Sequence, residues 1–289
     1  MLQTSHYDKL KAAVNNSKTP KSSKAELQKY LKEYDKWKSS ILHLKGNYDY
    51  ILKNSVKLLN NYKFKIDYDL IFNSQEDFLY RQKGQLKLDN SVIEEFFPLL
   101  AYKLFPNIFK KLSIGSINCL SGIGFDADIS SDQSLKLNLR TKDQDFAVCK
   151  SFKFNNYTNV NVALVAAECK TNLDKTMHQE AISTATDIKK ILPTSKYFLI
   201  CEYLDMKPIS SKGSSIDSVL ILRKAKRLSS DIRKNFNTKQ GRDKYSHKYK
   251  EYILSNKIQT DVIYKLFDTI SEVVSKNKNL NDYLRKGFF

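Results

Sequence analysis

The sequence predicts an α/β fold, with a mixed central sheet flanked by helices and a helical N-terminal accessory region. Two short and almost wholly apolar runs, Val162–Ala167 and Tyr197–Cys201, are typical of strands buried on both faces. A helical pattern over Lys175–Leu192 separates them and stops at Pro193. Because a helix joins the two buried strands, we expect them to be parallel neighbours in one sheet.

The first 85 residues predict a mainly helical accessory region. Apolar residues recur at helical spacing from Leu27 to Ile41 and again from Ile51 to Leu59. Between Phe64 and Leu70 they alternate with charged residues, which predicts a short strand or an extended arm. No cluster of catalytic residue types lies in this region.

Residues 86–225 carry the predicted sheet. A helix should begin near Ser91, where Glu94 gives the spacing of a capping box, and run to about Phe105. The glycines between Gly115 and Gly124 predict a loop, with a first strand starting near Phe125.

Two further strands complete the predicted sheet. Asp145–Phe154 alternates well enough to form a strand before Val162–Ala167, and Ser218–Leu222 forms another after Tyr197–Cys201. The first three strands then form a meander, and the later two extend the sheet, which makes it mixed.

The strongest chemical signal is the tripeptide Glu168-Cys169-Lys170 at the end of a buried strand. Side chains alternate along a strand, so Glu168 and Lys170 share one face while Cys169 points into the core. A carboxylate and an ammonium side by side at this point indicate either a reactive cleft or an ordinary ion pair at a strand end.

A second carboxylate favours the reactive cleft. Asp145 opens the preceding strand, and in a meander the start of one strand lies beside the end of the next. Two carboxylates, with water and a phosphate completing the shell, suit Mg²⁺. Lys170 would then stabilise negative charge on the phosphate or position the attacking water. Three other acids compete with Asp145 for this role, namely Asp126, Asp128 and Asp143.

This arrangement resembles the PD-(D/E)xK nuclease superfamily, whose motif is a carboxylate followed on the next strand by (Asp/Glu)-x-Lys. Gln144 stands where the family often has proline. The resemblance extends from about Asn90 to Leu222. The segment ECKTNLDKTMHQEA, Glu168–Ala181, is similar to a small subfamily of type II restriction endonucleases that has heterodimeric members acting on interrupted, asymmetric sites.

The resemblance implies a Mg²⁺-dependent enzyme that hydrolyses phosphodiester bonds in double-stranded DNA at a specific sequence. It implies catalytic roles for Asp145, Glu168 and Lys170, and a dimer of identical or different subunits. Glu94 or Glu95 would assist the metal from the preceding helix. The alternatives are a repair, recombination or transposon-associated nuclease of the same superfamily, and an inactive DNA-binding protein.

The charge of the chain agrees with a nucleic-acid partner. The formal net charge is +18, and the segment Lys207–Lys250 has 13 Lys and Arg residues against 3 Asp and Glu. A lysine-rich composition alone would explain the same excess. We predict DNA contacts for seven basic residues, Arg223, Lys224, Lys226, Arg227, Arg233, Lys234 and Arg242.

Residues 226–289 predict a basic and helical C-terminal region for DNA contact or dimerisation. Its last helix, about Asp261 to Val274, has one apolar face that would close the core or form a dimer seam. No zinc-ligand spacing links the four cysteines, which are typical of thiols in a reducing cytoplasm. No apolar run is long enough for a membrane span, so we expect a cytoplasmic protein.

Overall fold

Among the residues that the structure describes, five strands form one sheet. In the computed structural model, which describes residues 4–127, 135–153 and 159–276, the strands are β1 (Ser113–Ala127), β2 (Leu135–Lys153), β3 (Asn159–Leu173), β4 (Lys196–Leu204) and β5 (Ser218–Lys226). Their order in the sheet is their order in the chain. β1, β2 and β3 pair antiparallel, whereas β3, β4 and β5 pair parallel. The predicted meander and mixed sheet are therefore confirmed.

Helices surround this sheet. In chain order they are α1 (Ser5–Asn15), α2 (Lys21–His43), α3 (Tyr48–Phe64), α4 (Asp77–Leu86), α5 (Asn90–Leu104), α6 (Lys175–Ile191), α7 (Ser230–Arg233), α8 (Lys239–Ser255) and α9 (Thr260–Lys276). A short 3₁₀ turn, Lys234–Asn237, follows α7. Among the described residues, none of these helices has the length and apolar character needed to cross a membrane.

The two faces of the sheet are covered differently. On one face, buried residues of β2, β3 and β4 share a single apolar core with helices α1 to α5 and α9. On the other face, Ala181, Ala185 and Ile188 of α6 pack against a second core that includes Cys149 and Leu199. Cover on both faces explains why the middle of each strand, Val162–Ala167 in β3 and Tyr197–Cys201 in β4, is nearly all apolar. The first core passes without interruption from the N-terminal region to the sheet.

The last helix closes the first core. Four residues on one face of α9 are buried, namely Ile263, Leu266, Phe267 and Ile270. The sequence left open whether this face closes the core or forms a dimer seam, and in the structure it closes the core.

The predicted strand or arm between Phe64 and Leu70 is wrong. A π-helical segment, Lys65–Phe72, continues directly from α3, and the amide of Asn73 donates to the carbonyl of Tyr68 over 2.8 Å. Consecutive residues Leu70, Ile71 and Phe72 are all buried. In a strand, successive side chains point to opposite faces, so three consecutive residues cannot all be buried on one face. Packing within the helical region therefore determines the local structure here.

The predicted loop between Gly115 and Gly124 is also wrong, because β1 already begins at Ser113. The strand pairing shifts between Gly115 and Ile117, and Gly115 has a φ of 145°. Glycine is the residue that accepts such a conformation at a bulge. The glycines therefore bend a long strand instead of ending it.

The predicted capping box of α5 does not form. The helix begins at Asn90, whose amide donates to Asp89 over 2.9 Å. Ser91 lies inside the helix, and its hydroxyl is 2.8 Å from Nδ1 of His6. The local pattern predicts that the Ser91 side chain caps α5, but this side chain instead contacts His6 of α1, which is distant in the sequence.

Candidate active site

Asp145 lies within β2 beside Glu168 of β3. The prediction that Asp145 opens its strand and that the tripeptide ends the next is wrong, because β2 begins at Leu135 and β3 continues to Leu173. Phe146 pairs with Ala167 in the antiparallel ladder, which brings Asp145 next to Glu168. Oδ2 of Asp145 accepts a hydrogen bond of 2.7 Å from the amide nitrogen of Cys169. The juxtaposition expected from the meander is present, and Asp145 is fixed to the middle residue of the Glu168-Cys169-Lys170 tripeptide.

Glu168 and Lys170 form an ion pair at the edge of the core. Oε1 of Glu168 is 2.7 Å from Nζ of Lys170, and the two side chains are 22% and 29% exposed. Cys169 between them is 2% exposed and belongs to the core on the other face of the sheet. The strand thus presents two partly exposed charged groups while its intervening residue stays buried.

In this cluster two carboxylates, Asp145 and Glu168, lie close together beside the ammonium of Lys170. Burial raises the pKa of Asp145, and the charge of Glu168 raises it further, against the lowering effects of the Cys169 amide and Lys170. Burial by itself would lower the pKa of Lys170. The hydrogen bond to Glu168 and the charge of Asp145 outweigh it, so the pKa of Lys170 is raised and its ammonium stays protonated.

A third carboxylate, Glu94 of α5, acts on the same cluster. Burial raises the pKa of Glu94, and the charge of Asp145 adds to this effect. Oε1 of Glu94 accepts a hydrogen bond from the side-chain amide of Asn90. A buried acid whose pKa is raised by a neighbouring carboxylate lies in a region where a cation is electrostatically favoured.

Glu95, the neighbouring residue, has a different environment. It is fully buried, and Oε2 accepts bonds of 2.9 Å and 3.4 Å from the amides of His6 and Tyr7 at the start of α1. Oε1 accepts from the Tyr34 hydroxyl over 2.5 Å and lies 3.2 Å from Nζ of Lys38. Both oxygens of Glu95 are therefore engaged in holding α1 and α2 against α5.

The donor set of the cluster fits magnesium. Asp145 and Glu168 offer carboxylate oxygens, and Mg²⁺ is usually bound through one or two carboxylates with water and substrate phosphate in the remaining positions. Within the described ranges, no group of three or more His, Cys, Asp or Glu residues is arranged to enclose a metal ion. An open site with two acids is consistent with that finding.

The competing acids lie elsewhere or cannot be placed. Asp143 is exposed on β2 and pairs with Asn118 of β1. Asp126 pairs with Lys136 near the far end of β1. Asp128 lies outside the described residues. Asp145 is bonded to the tripeptide through the Cys169 amide.

Two of the seven predicted DNA contacts are buried inside the protein. Arg223 is 3% exposed and bonds Glu202 over 2.9 Å, with Asp67 at 3.3 Å. Arg242 is 1% exposed and donates a hydrogen bond of 2.7 Å to the carbonyl of Phe72. Both guanidinium groups are therefore bonded to acceptors inside the protein, whereas the sequence predicted that Arg223 and Arg242 contact DNA.

The other five basic residues are at least partly exposed. Lys224 pairs with Asp261, Arg227 with Asp205, and Lys234 with Asp231. Lys226 is exposed, and Arg233 donates to the carbonyl of Leu228. Surface ion pairs of this kind contribute little stability, so the cations remain able to exchange their partners for phosphates.

Sequence reasoning missed Lys87, whose charge lowers the pKa of both Asp145 and Glu94. Lys87 follows α4 in a left-handed conformation, with a φ of 51°. A non-glycine residue with positive φ is uncommon, and no local motif in the sequence predicts this conformation for Lys87.

Comparisons with known proteins bear on the family of the chain and on its fold. The family model described as Bpu10I restriction endonuclease matches residues 85–289, which is well over half of the chain and includes the whole cluster. No curated protein matches. Among solved structures, the chain is similar to a protein described as "native BbvCI A2B2 tetramer at low resolution", with 20% identity and a TM-score of 0.45 over 90% of this chain and 96% of that chain.

Proposed function

Since the chain belongs to the Bpu10I restriction endonuclease family and is a type II site-specific endonuclease, we propose that it hydrolyses phosphodiester bonds in double-stranded DNA with Mg²⁺ at a PD-(D/E)xK centre. Asp145, Glu168 and Lys170 form this centre. The observation that carries the proposal is the bond from the Cys169 amide to Asp145, which joins the three residues of the motif in one cluster.

Asp145 and Glu168 hold the metal through their carboxylate oxygens, and Glu94 adds negative charge from α5. When bound, Mg²⁺ polarises the phosphoryl group and neutralises charge on it. The raised pKa of Asp145 supports this role, because a buried acid beside a second carboxylate gains stability when a cation arrives.

Lys170 supplies a fixed positive charge to the phosphate that is cut. Its ammonium is held by Glu168 and is only 29% exposed, so little water competes with a bound phosphate. A preorganised cation in such a site stabilises the negative charge that develops in the transition state.

The DNA partner is supported by the net charge of +18 and by the five basic residues, at least partly exposed, that lie at the end of β5 and in the segment after it. Each phosphate that such residues neutralise releases counterions and strengthens binding at low salt. We propose that the enzyme acts as a dimer, with a second copy or with a related nuclease subunit. The described part of the chain contributes one cluster, and cutting both strands of a duplex needs two active sites.

We further propose a cytoplasmic location, where DNA is accessible and thiols stay reduced. All four cysteines are buried and unbridged, which supports a chain that needs no oxidising compartment.

Digestion of a long phage DNA by the purified chain tests the proposal. The reaction is run with Mg²⁺ and with EDTA, beside Lys170→Ala and the control Lys53→Ala, which alters an exposed lysine on α3. We expect discrete bands with Mg²⁺ for the wild type and the control, and none for Lys170→Ala or with EDTA.

Other outcomes separate the alternatives. Smears in place of bands would indicate a nuclease without sequence specificity, as in repair or recombination. No cutting in Mg²⁺ or Mn²⁺, even with a companion subunit added, would indicate a DNA-binding protein without activity.

A further inference from the structure

A cavity of about 530 Å³ lies beside the C-terminal end of β3. Thr171 and Asn172 form part of its wall, and they follow Lys170 directly in the chain. Consecutive Cα atoms are about 3.8 Å apart, so the wall of the cavity begins one residue from the proposed centre. Its volume is within the range typical of sites for small organic ligands.

Aromatic side chains form much of the wall. Tyr203 and Tyr252 are stacked with ring centroids 5.4 Å apart. The aromatic residues that line the cavity are Tyr80, Tyr203, Phe236, Tyr249 and Tyr252. Aromatic rings beside an open volume give a nucleobase a surface on which to stack, whichever base it is.

Cationic side chains from two parts of the chain add positive charge to the lining. They come from α4 in the accessory region and from the segment after β5, and they are Arg81, Lys83, Arg227, Arg233 and Lys234. Arg81 pairs with Asp77 at 2.9 Å and is 53% exposed, so its ion pair is one that a phosphate can replace. Positive charge with aromatic walls is the combination that binds a nucleotide.

Carboxylates also line the cavity, and buried cations lie behind them. Nζ of Lys63 is 2.9 Å from Asp67 and 2.8 Å from Glu202, and Arg223 also bonds Glu202. Glu202 is 1% exposed, whereas Asp67 is 11% exposed. Because each carboxylate oxygen has two acceptor positions, Asp67 keeps capacity for an additional N–H donor from the cavity. An exocyclic amino group of a base provides such a donor.

We propose that this cavity accepts one extrahelical nucleotide of the DNA bound for cutting. The base lies among the tyrosine rings and the phosphate meets the cations. This inference rests on the proposed function, because it takes DNA as the ligand. Asp67 in the lining selects bases with an exocyclic amine, which are adenine, cytosine and guanine, over thymine.

Gly84 allows a direct test. It lines the cavity from α4, and a Cβ added there would meet no atom within 4 Å. Gly84→Trp therefore fills the cavity from a helical position without a backbone clash. Gly84→Ala is the matched control, since it removes the same glycine from the helix and leaves the cavity open.

The probe is a short duplex with one bulged 2-aminopurine nucleotide, compared with the same duplex fully paired. Binding is measured by anisotropy in Ca²⁺ without cutting, and 2-aminopurine fluorescence reports stacking. We expect the wild type and Gly84→Ala to bind the bulged duplex about tenfold more tightly, because the bulge has already unstacked its base. Fluorescence should fall on binding, and both effects should disappear in Gly84→Trp.

Equal affinity for the two duplexes in the wild type, or a preference that survives in Gly84→Trp, would overturn the proposal. Binding of free dAMP that is lost in Gly84→Trp, without any preference for the bulge, would also overturn it and indicate a site for free nucleotides. Because cutting is not measured, a bulge preference in a chain that never cuts DNA would contradict only the nuclease proposal.

Discussion

The amide nitrogen of Cys169 donates a 2.7 Å hydrogen bond to Oδ2 of Asp145. The donor belongs to the backbone of β3 and the acceptor to a side chain of β2, so the pairing of the two strands fixes the position of the carboxylate. Glu168 and Lys170, on either side of Cys169, are fixed by the same strand. The spacing of the three groups is thus a property of the sheet.

We predict that Asp145→Asn abolishes cutting, with a loss of at least about a thousandfold, because the metal loses a charged ligand that contributes several kcal/mol. Asparagine keeps an oxygen that can accept from Cys169, so the fold should remain. Rates of cutting, DNA affinity and melting temperature are measured beside Asp143→Asn, an exposed acid on the same strand. Full activity in Asp145→Asn with a loss in Asp143→Asn would move the metal site to Asp143.

Glu94 and Glu95 should separate activity from stability. Glu94→Gln should slow cutting about tenfold, as for a group beside the metal ligands, with little effect on unfolding. Glu95→Gln should lower the free energy of unfolding by about 2 kcal/mol or more, because its carboxylate accepts bonds from His6, Tyr7 and Tyr34 in a buried site. Urea unfolding and cutting rates are compared for both variants. Reversed effects would mean that Glu95 is the residue that serves the metal.

The Glu168-Cys169-Lys170 tripeptide of the proposed centre could be predicted from the sequence because it directly follows the apolar run Val162–Ala167, and a meander brings Asp145 beside it. The burial of Arg223 was not foreseeable in this way. Its partners Glu202 and Asp67 lie 21 and 156 residues away in the chain, so its basic neighbours made it resemble a surface residue. Local patterns predict which face a residue occupies, whereas a buried ion network depends on contacts that only the fold creates.

Arg223→Ala and Lys224→Ala should therefore behave differently although the two residues are adjacent. Arg223→Ala leaves Glu202 buried with one cation fewer, and we expect a loss of about 3–5 kcal/mol in the free energy of unfolding. Lys224→Ala removes an exposed charge and should leave stability nearly unchanged. Its effect should be on DNA binding, where the slope of log affinity against log salt falls by about 1. If the Arg223→Ala protein were stable and bound DNA more weakly, Arg223 would be a DNA contact, as the sequence predicted.

His6 should make the protein less stable in mild acid. Its ring is fully buried between Ser91 and Tyr62, and burial, aided by the charge of Lys63, lowers its pKa to about 3 from 6.5. Between these two values the unfolded chain binds a proton that the folded chain does not, so stability falls as the pH falls. From about pH 7.5 to about pH 5 this contribution amounts to about 2 kcal/mol.

His6→Gln removes this titrating group, and His43→Gln, an exposed residue on α2, is the control. Urea unfolding at the two pH values should show a smaller loss for His6→Gln than for the wild type, even though the variant starts less stable because its bonds to Ser91 and Tyr62 are weakened. His43→Gln should lose as much as the wild type. Since His6 also donates its amide to Glu95, protonation of the ring would disturb the contact between α1 and α5, the helix that carries Glu94. An equal loss in all three proteins would show that His6 is not the group that responds to acid.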